Sequence, residues 1–252
     1  MNNYRDGLIA SATVVVVRQQ GNQDDSYLEV LLLKRNPSIK VGGGMWVFPG
    51  GKLTDQELSV SREVGAKQAA VRECEEECGL ALPIDSLVDF SRWITPRHMK
   101  KRFDTDFFVA VLPPGQTVVI DDGEIVESQW LKPDEAIQAM VNGTLAIGPP
   151  TMVSLLDVGM YNDAATLLTA YKQIAEPRLF EPLGFELPIA CDPATGAQLV
   201  AESDDSKNSG FVMLYHGDAG YADADPENTS QKHRTIFDKD GVRYFRDNEQ
   251  LL

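Results

Sequence analysis

An α/β sandwich built on a mixed sheet is the fold this sequence predicts, and three observations predict it. Strand-like segments come in groups separated by helices, not in a regular alternation of strand and helix. The stretch 66–78 contains neither Gly nor Pro and repeats apolar residues at helical spacing. Apolar residues make up 43% of the 252, enough to bury a sizeable core.

In chain order, residues 8–17 and 27–33 are rich in β-branched and aliphatic residues and read as strands. Gly21-Asn22-Gln23-Asp24-Asp25 between them is turn chemistry. Met45-Trp46-Val47-Phe48 reads as a short strand stopped by a glycine turn at Pro49-Gly50-Gly51. In the helix that follows, Ala66, Ala70, Val71, Cys74 and Cys78 recur at helical spacing, and Gly79 is the expected C-terminal cap. Strands are expected at 88–94, 107–112 and 125–131, after which Pro133 opens a helix that runs to Asn142-Gly143. Beyond Pro149-Pro150 the character shifts. Residues 151–160 and 163–174 read as two short helices, 202–208 as an acidic polar stretch and 210–215 as a strand. Residues 234–245 fold into a hairpin at Asp238-Lys239-Asp240-Gly241. The expected organisation is a core of residues 1–148 and a helical and β-hairpin C-terminal extension, 149–252, packed on it.

The chain carries 23 basic and 38 acidic residues, a net charge of -15. That balance argues against a nucleic-acid partner, since such binding comes largely from neutralising phosphates. A polyanionic substrate would need a divalent cation, held by carboxylates, to reverse the local field. No apolar run approaches the roughly 18 to 20 residues of a membrane span; the run from Ser11 through Val17 ends at Arg18. The N-terminal residues show no signal-peptide pattern, so a cytoplasmic address and no membrane partner are expected. Three cysteines, Cys74, Cys78 and Cys191, form no C-x-x-C pair and are expected to be reduced thiols.

The most informative stretch is Arg72-Glu73-Cys74-Glu75-Glu76-Glu77-Cys78-Gly79-Leu80. At about 100° per residue, Glu73, Glu76 and Glu77 share one arc of a helix while Glu75 points away. Like charges at three- and four-residue spacing repel, so a purely structural helix gains nothing from them. A bound cation turns that cost into a gain, and clustered hard oxygen ligands suit Mg2+ or Mn2+. Cys74 and Cys78 fall on the apolar side of the same helix, as core residues would.

These residues resemble the Nudix box: a glycine, five residues, Glu, seven residues, Arg-Glu, an aliphatic, any residue, Glu-Glu, any residue, Gly and an aliphatic. Arg72 through Leu80 fit its second half, with Cys74 in the aliphatic slot, and Phe48-Pro49-Gly50-Gly51 fits its lead-in. One departure stands out: Gly51 lies 21 positions before Arg72, seven more than the box's 14. Glu57 keeps the spacing from Gly51 and Glu63 nearly keeps the spacing to Arg72, so both are candidates for the acid that pairs with Arg72.

The resemblance implies a Nudix-type α/β/α sandwich and a metal site of Glu73, Glu76, Glu77 and the Gly51 carbonyl, with Arg72 holding the loop to the helix. Hydrolysis of a phosphoanhydride needs a nucleophilic water and neutralised phosphoryl oxygens, and metal ions provide both. Glu76, Glu124 and Glu127 are candidates for the general base; for the last two a solvated loop acid is the plain alternative.

Leu32-Leu33-Lys34-Arg35, Trp93-Ile94-Thr95-Pro96, Lys101-Arg102-Phe103-Asp104-Thr105 and Pro149-Pro150-Thr151 are similar to the acyl-coenzyme A diphosphatase branch. His216-Gly217-Asp218 with Tyr221 resembles an element near that branch's C-terminus. Arg97, Lys101 and Arg102, from a basic cluster at 97–102, together with Arg35, are candidates for substrate phosphates; a solubilising loop is the plain alternative for the cluster. The expected partner is a small nucleoside diphosphate derivative, coenzyme A or its acyl form being favoured. A dinucleotide or nucleotide-sugar pyrophosphatase and a non-catalytic Nudix ligand sensor are the alternatives. A homodimer is compatible with the sequence.

Overall fold

The structure, a computed structural model, describes residues 4–5, 7–22, 25–188, 209–238 and 241–252. Cys191, the acidic stretch 202–208 and the hairpin residues Lys239 and Asp240 lie outside the described residues. The chain divides into two compact units, one of residues 1–93 and 103–178 and the other of residues 94–102 and 179–252. Among the described residues no helix is long and apolar enough to cross a membrane.

The first unit opens with β1 (Ile9–Gln20), β2 (Tyr27–Arg35), β3 (Trp46–Val47) and β4 (Gly50–Lys52), then a short helix α1 (Asp55–Leu58) and a long one, α2 (Arg62–Cys78). There follow β5 (Val88–Ile94), β6 (Phe103–Val111), β7 (Ile125–Leu131) and helices α3 (Pro133–Val141), α4 (Pro149–Val158) and α5 (Ala164–Lys172). The sheet runs β3-β2-β1-β6-β5, with β4 also on β1 and β7 also on β2. β1 is parallel to β6 and antiparallel to β2 and β4, so the sheet is mixed, as predicted.

Val14, Val15, Val16 and Val17 are all fully buried. Strand side chains alternate between faces, so such a run marks a strand covered on both sides. Ala12, Val14 and Val16 join Leu31, Leu33, Ala66, Ala69, Ala70 and Cys74 in one apolar cluster against α2. Val15 and Val17 point the other way, as does Gln19, whose side-chain oxygen accepts the Ala164 N–H at the start of α5 at 3.2 Å. Each fully buried aliphatic side chain contributes about 1.5 to 3 kcal/mol.

Several boundaries differ from expectation, β1 and β2 running on to Gln20 and Arg35, and three of them bear on the site. α2 starts at Arg62, four residues before the predicted helix, because Ser61 is extended at the N-cap and Glu63 suits the first turn. Its end is as predicted: Gly79 takes the left-handed conformation, φ 69°, and donates its N–H to the Glu75 carbonyl. Gly50-Gly51 is not a turn but part of β4, paired with Thr13 and Ala12 of β1. β6 starts at Phe103 instead of 107, since Asp104 and Asp106 are pulled inward by arginines.

Those arginines form a neutral, part-buried network around the fully buried Asp104. Arg62 Nη2 donates to Asp104 Oδ1 at 2.9 Å and to Asp106 Oδ1 at 2.8 Å, and its Nε donates to Asp106 Oδ2 at 2.9 Å. Arg92 grips Asp104 with both Nε and Nη2, at 2.8 and 2.6 Å. The Tyr4 hydroxyl donates to Asp106 Oδ2 at 2.9 Å, and its ring lies 3.8 Å from the Arg62 guanidinium carbon.

β8 (Arg178–Phe180) leads into the second unit, where β9 (Leu183–Pro188), β10 (Ser209–Leu214), β11 (Arg234–Asp238), β12 (Gly241–Arg246) and β13 (Glu249–Gln250) follow. Their antiparallel sheet is ordered β13-β12-β11-β10-β9, and β11 and β12 pair as the predicted hairpin. Val212, Leu214, Ile236 and Phe245 form its apolar core. Beside them Asp218, from the His216-Gly217-Asp218 element, is buried against Arg234 with bonds of 2.6 and 2.7 Å. Asp218 also accepts the backbone N–H groups of Gly220 and His233, each at 2.9 Å, so it pins the loop between β10 and β11.

Asp104 sets an acid limit on stability. Burial works against its charge, but Arg92 and Arg62 hold its carboxyl down at about 2. An ordinary aspartate titrates near ~4, so the stabilisation is complete above that value and is lost as pH falls through the folded one. Asp104→Asn is expected to destabilise by about 3 kcal/mol at neutral pH, by taking the carboxylate from Arg92 while Arg62 keeps only Asp106, and by much less at pH ~2. Thermal melts of both proteins across that range test this; a gap that does not narrow on acidification would contradict it.

Candidate active site

The site is built around Arg72, on the last turns of α2. Its Nε donates to Glu57 Oε1 at 2.9 Å and its Nη2 to Glu57 Oε2 at 3.1 Å and the Lys52 carbonyl at 3.0 Å. Its Nη1 donates to Glu73 Oε1 at 2.8 Å and Glu76 Oε2 at 3.0 Å. All five guanidinium N–H groups are therefore used. Glu57 is delivered by a capping box: Thr54 Oγ1 accepts the Glu57 N–H, and Glu57 Oε2 accepts the Thr54 N–H at 2.7 Å. Burial pushes against ionisation of Glu57, yet the bonds from Arg72 and Thr54 hold its carboxyl below the usual range.

Of the two candidate partners for Arg72, the structure selects Glu57. Glu63 is exposed and pairs with Lys67 one turn on, at 3.1 Å. The seven extra residues therefore fall between Glu57 and Arg72, in the link to α2 and its first turns. Gly65 makes this possible: a Cβ there would lie 2.0 Å from the Glu57 carbonyl oxygen.

The acidic face is arranged as the helical spacing requires. Glu77 is buried and accepts the Gly50 N–H at 3.0 Å. Glu73 is half-buried over Gly51, where a Cβ would lie 2.2 Å from its carboxyl. Glu76 is exposed apart from its bond to Arg72, and Glu75 faces solvent. Burial, then the neighbouring charges of Glu73 and Glu124, pushes the Glu77 carboxyl up to about 8, partly offset by the Gly50 N–H. Burial raises Glu73 as well. Among the described residues no three His, Cys, Asp or Glu side chains are grouped as a ready ion cage, since Arg72 holds Glu73 and Glu76 while Glu77 turns to Gly50. The donor set nonetheless suits a hard divalent cation: oxygen ligands only, on one face, one of them, Glu77, buried against a backbone N–H and not an ion-pair partner.

Glu124 and Glu127 sit at the start and on the body of β7 and differ in surroundings. Glu124 is ion-paired with Arg35, and its charge acts on both Glu73 and Glu77. Asp121 accepts the N–H groups of Glu124 and Ile125 at 2.8 and 2.9 Å, so the turn carrying Glu124 is pinned. Glu127 is held by Lys34 at 3.1 Å and Gln129 at 3.0 Å, and those bonds keep its carboxyl below the usual range. Cys74 and Cys78 are fully buried free thiols, as expected.

Arg97, Lys101 and Arg102 belong to the second unit. Arg97 and Lys101 are exposed. Arg102 Nε donates to the Thr95 carbonyl at 3.0 Å, and Arg97 and Arg102 lie 3.9 and 4.0 Å from the buried Glu181 carboxyl. Sequence reading missed the Lys52 carbonyl and Thr54 as parts of the Arg72 site. Thr54-x-x-Glu57 is a readable capping-box signature, and it would have separated Glu57 from Glu63.

Residues 8–150 match the NUDIX domain family. A Caenorhabditis elegans protein provisionally named nudix hydrolase 7 is 23% identical over 61% of this chain and 63% of its own length. The acyl-coenzyme A diphosphatase NUDT19 of Gallus gallus is 25% identical over 82% of this chain and 52% of its own length. The chain thus spans less than two thirds of these relatives. The crystal structure of a NUDIX hydrolase from Alicyclobacillus acidocaldarius superposes with a TM-score of 0.58 at 20% identity, covering 64% of this chain and 96% of that one, and so shares the fold. With the acidic helix face, its arginine clamp and the glycine pair beneath it all in the matched span, the chain belongs to the NUDIX domain family.

Proposed function

We propose that this chain is a hydrolase that uses Mg2+ or Mn2+ to cleave a phosphoanhydride in a nucleoside diphosphate linked to another moiety. The observation that carries the reading is the meeting of Glu73 and Glu77 with the Gly50-Gly51 backbone, while Glu76 sits beside them on the same helix face. When bound, the cation neutralises the phosphoryl oxygens and supplies a nucleophilic water. Glu73, Glu76 and Glu77 would hold it, with the Gly51 carbonyl as a further ligand. Arg72 keeps the β4 backbone and the helix in register. Glu124 is favoured over Glu127 for receiving the proton of the attacking water, because its charge already acts on Glu73 and Glu77. Arg35, beside Glu124, would offer its guanidinium to a substrate phosphate.

Coenzyme A or acyl-coenzyme A is the substrate we favour. Support comes from the relative in Gallus gallus, an acyl-coenzyme A diphosphatase by name. Turnover of coenzyme A, ADP-ribose and a dinucleotide with Mg2+ and Mn2+ tests the class. Rapid cleavage of the last two without coenzyme A would move the assignment to the pyrophosphatase alternative.

Three outcomes are expected of variants and substrates. Glu73→Gln and Glu77→Gln each lower turnover by about a hundredfold, by removing ligands without volume, while Glu75→Gln is nearly silent; equal losses at all three would sink the helix-face assignment. Glu57→Gln lowers stability by about 2 kcal/mol and turnover by about tenfold, since the amide can still accept the Thr54 N–H but takes the charge and one acceptor away from Arg72; Glu63→Gln changes neither, as melts and kcat/KM would show. Coenzyme A is cleaved with kcat/KM about tenfold above its 3'-dephospho form if one charge-assisted contact is lost. A competition assay read by mass spectrometry measures this, and equal rates would remove the 3'-phosphate from specificity.

A further inference from the structure

We infer that the Arg62–Asp104–Asp106 network is a positioning element for the metal-binding face of α2, acting from the opposite end of that helix. The inference rests on the metal reading of Glu73, Glu76 and Glu77. Arg62 is the first residue of α2 and lies in the stretch between Glu57 and Arg72 that holds the seven extra residues. Its guanidinium is shared between Asp104 and Asp106 on β6. In the sheet, Ala12 of β1 is flanked by Gly51 of β4 on one side and Asp106 of β6 on the other. Gly51 is the backbone on which Glu73 rests. The acidic end of α2 and its first residue are therefore tied to the same rung of the sheet, one through Gly51 and the other through Asp106.

The chemistry of this second tie suits positioning better than stabilisation. Taking two arginines and two aspartates out of water offsets much of their mutual attraction, and apolar side chains of similar volume often stabilise a core as well. What apolar contacts lack is direction. A planar guanidinium against two carboxylates accepts a single arrangement, whereas methylene contacts tolerate sliding and rotation. The Tyr4 ring against the Arg62 guanidinium and the Tyr4 hydroxyl on Asp106 restrict it further. The seven extra residues lengthen the path from Glu57 to Arg72, and the Arg62 network gives the added first turn of α2 a fixed attachment to β6. Arg62 and Asp106 touch neither cation nor substrate; they act through the helix.

The test is Mn2+ binding, followed by electron paramagnetic resonance of the free ion, with thermal melts alongside. Arg62→Met combined with Asp106→Leu removes one charge of each sign and leaves Asp104 paired with Arg92. This double variant is expected to melt within a few degrees of the parent and to bind Mn2+ about fivefold or more weakly, in the range of coupling through a packed element. Arg62→Lys, which keeps charge but not the fork, is expected to fall between. A folded double variant with unchanged Mn2+ affinity overturns the inference; should that variant fail to fold, unchanged affinity in Arg62→Lys does so. Glu77→Gln separates the two readings. If it loses Mn2+ while the Arg62 variants keep it, only the positioning role fails; if the parent binds no Mn2+ that Glu77→Gln abolishes, the metal reading falls and this inference with it.

Discussion

The fork of Arg72 is the interaction on which the site depends. Three segments that the chain brings together separately meet on it: the end of β4 through the Lys52 carbonyl, α1 through Glu57, and the acidic face of α2 through Glu73 and Glu76. A guanidinium presents its donors in one plane at fixed angles, so satisfying all five sets the three segments in one mutual geometry. A lysine would supply the charge without the plane. The clamp also lessens a local conflict, because the carboxylates of this face repel one another and Arg72 is the cation nearest to two of them.

Below the clamp, the geometry is inherited from β1. This strand pairs with β4 along its first half, with β2 along its second and with β6 along most of its length. Register along a strand is fixed wherever one face is buried, since a slip of one residue turns every side chain over. Here both faces are buried, so the register of β1 is held by its ladders to β6, β2 and β4 and not by an apolar and a polar face. Gly51 and Asp106 are thereby set against one residue, Ala12, and both ends of α2 find their partners at defined places. The absence of side chains at Gly50 and Gly51 is a matter of space, not of unusual backbone angles: the Ala12 carbonyl, Thr13 and the Glu73 carboxyl occupy the room a Cβ would need.

The second unit solves its packing differently. Its apolar core is small, and a fully buried arginine is gripped by one aspartate and by the carbonyls of Pro226 and Asn228. A buried charge is tolerated only when paired and hydrogen-bonded, and Arg234 meets both conditions. The same aspartate closes the loop between β10 and β11. The His216-Gly217-Asp218 element, read in the sequence as a likeness to a family branch, thus has a structural task within this unit.

What the sequence by itself determined was whatever depends on local periodicity and composition. The strand of β1, the helix ending at Gly79, the strands at β5 and β7 and the grouping of Glu73, Glu76 and Glu77 away from Glu75 all follow from local composition and spacing, because side-chain direction repeats every 2 or 3.6 residues. What only the tertiary structure decided were pairings between residues far apart in the chain. Asp104 and Asp106 made the start of β6 look like loop until Arg62 and Arg92 were brought against them, 42 and 12 residues away. Gly50-Gly51 looked like a turn because glycine carries no pattern of its own, and β1 made it a strand. Spacing left both Glu57 and Glu63 open; the capping-box signature at Thr54 was there to be read in favour of Glu57, but the pairing itself, Glu57 with Arg72 and Glu63 with Lys67, is set by the folded geometry. An ion pair has no sequence period, so its partners are settled only when the sheet has set the distances between them.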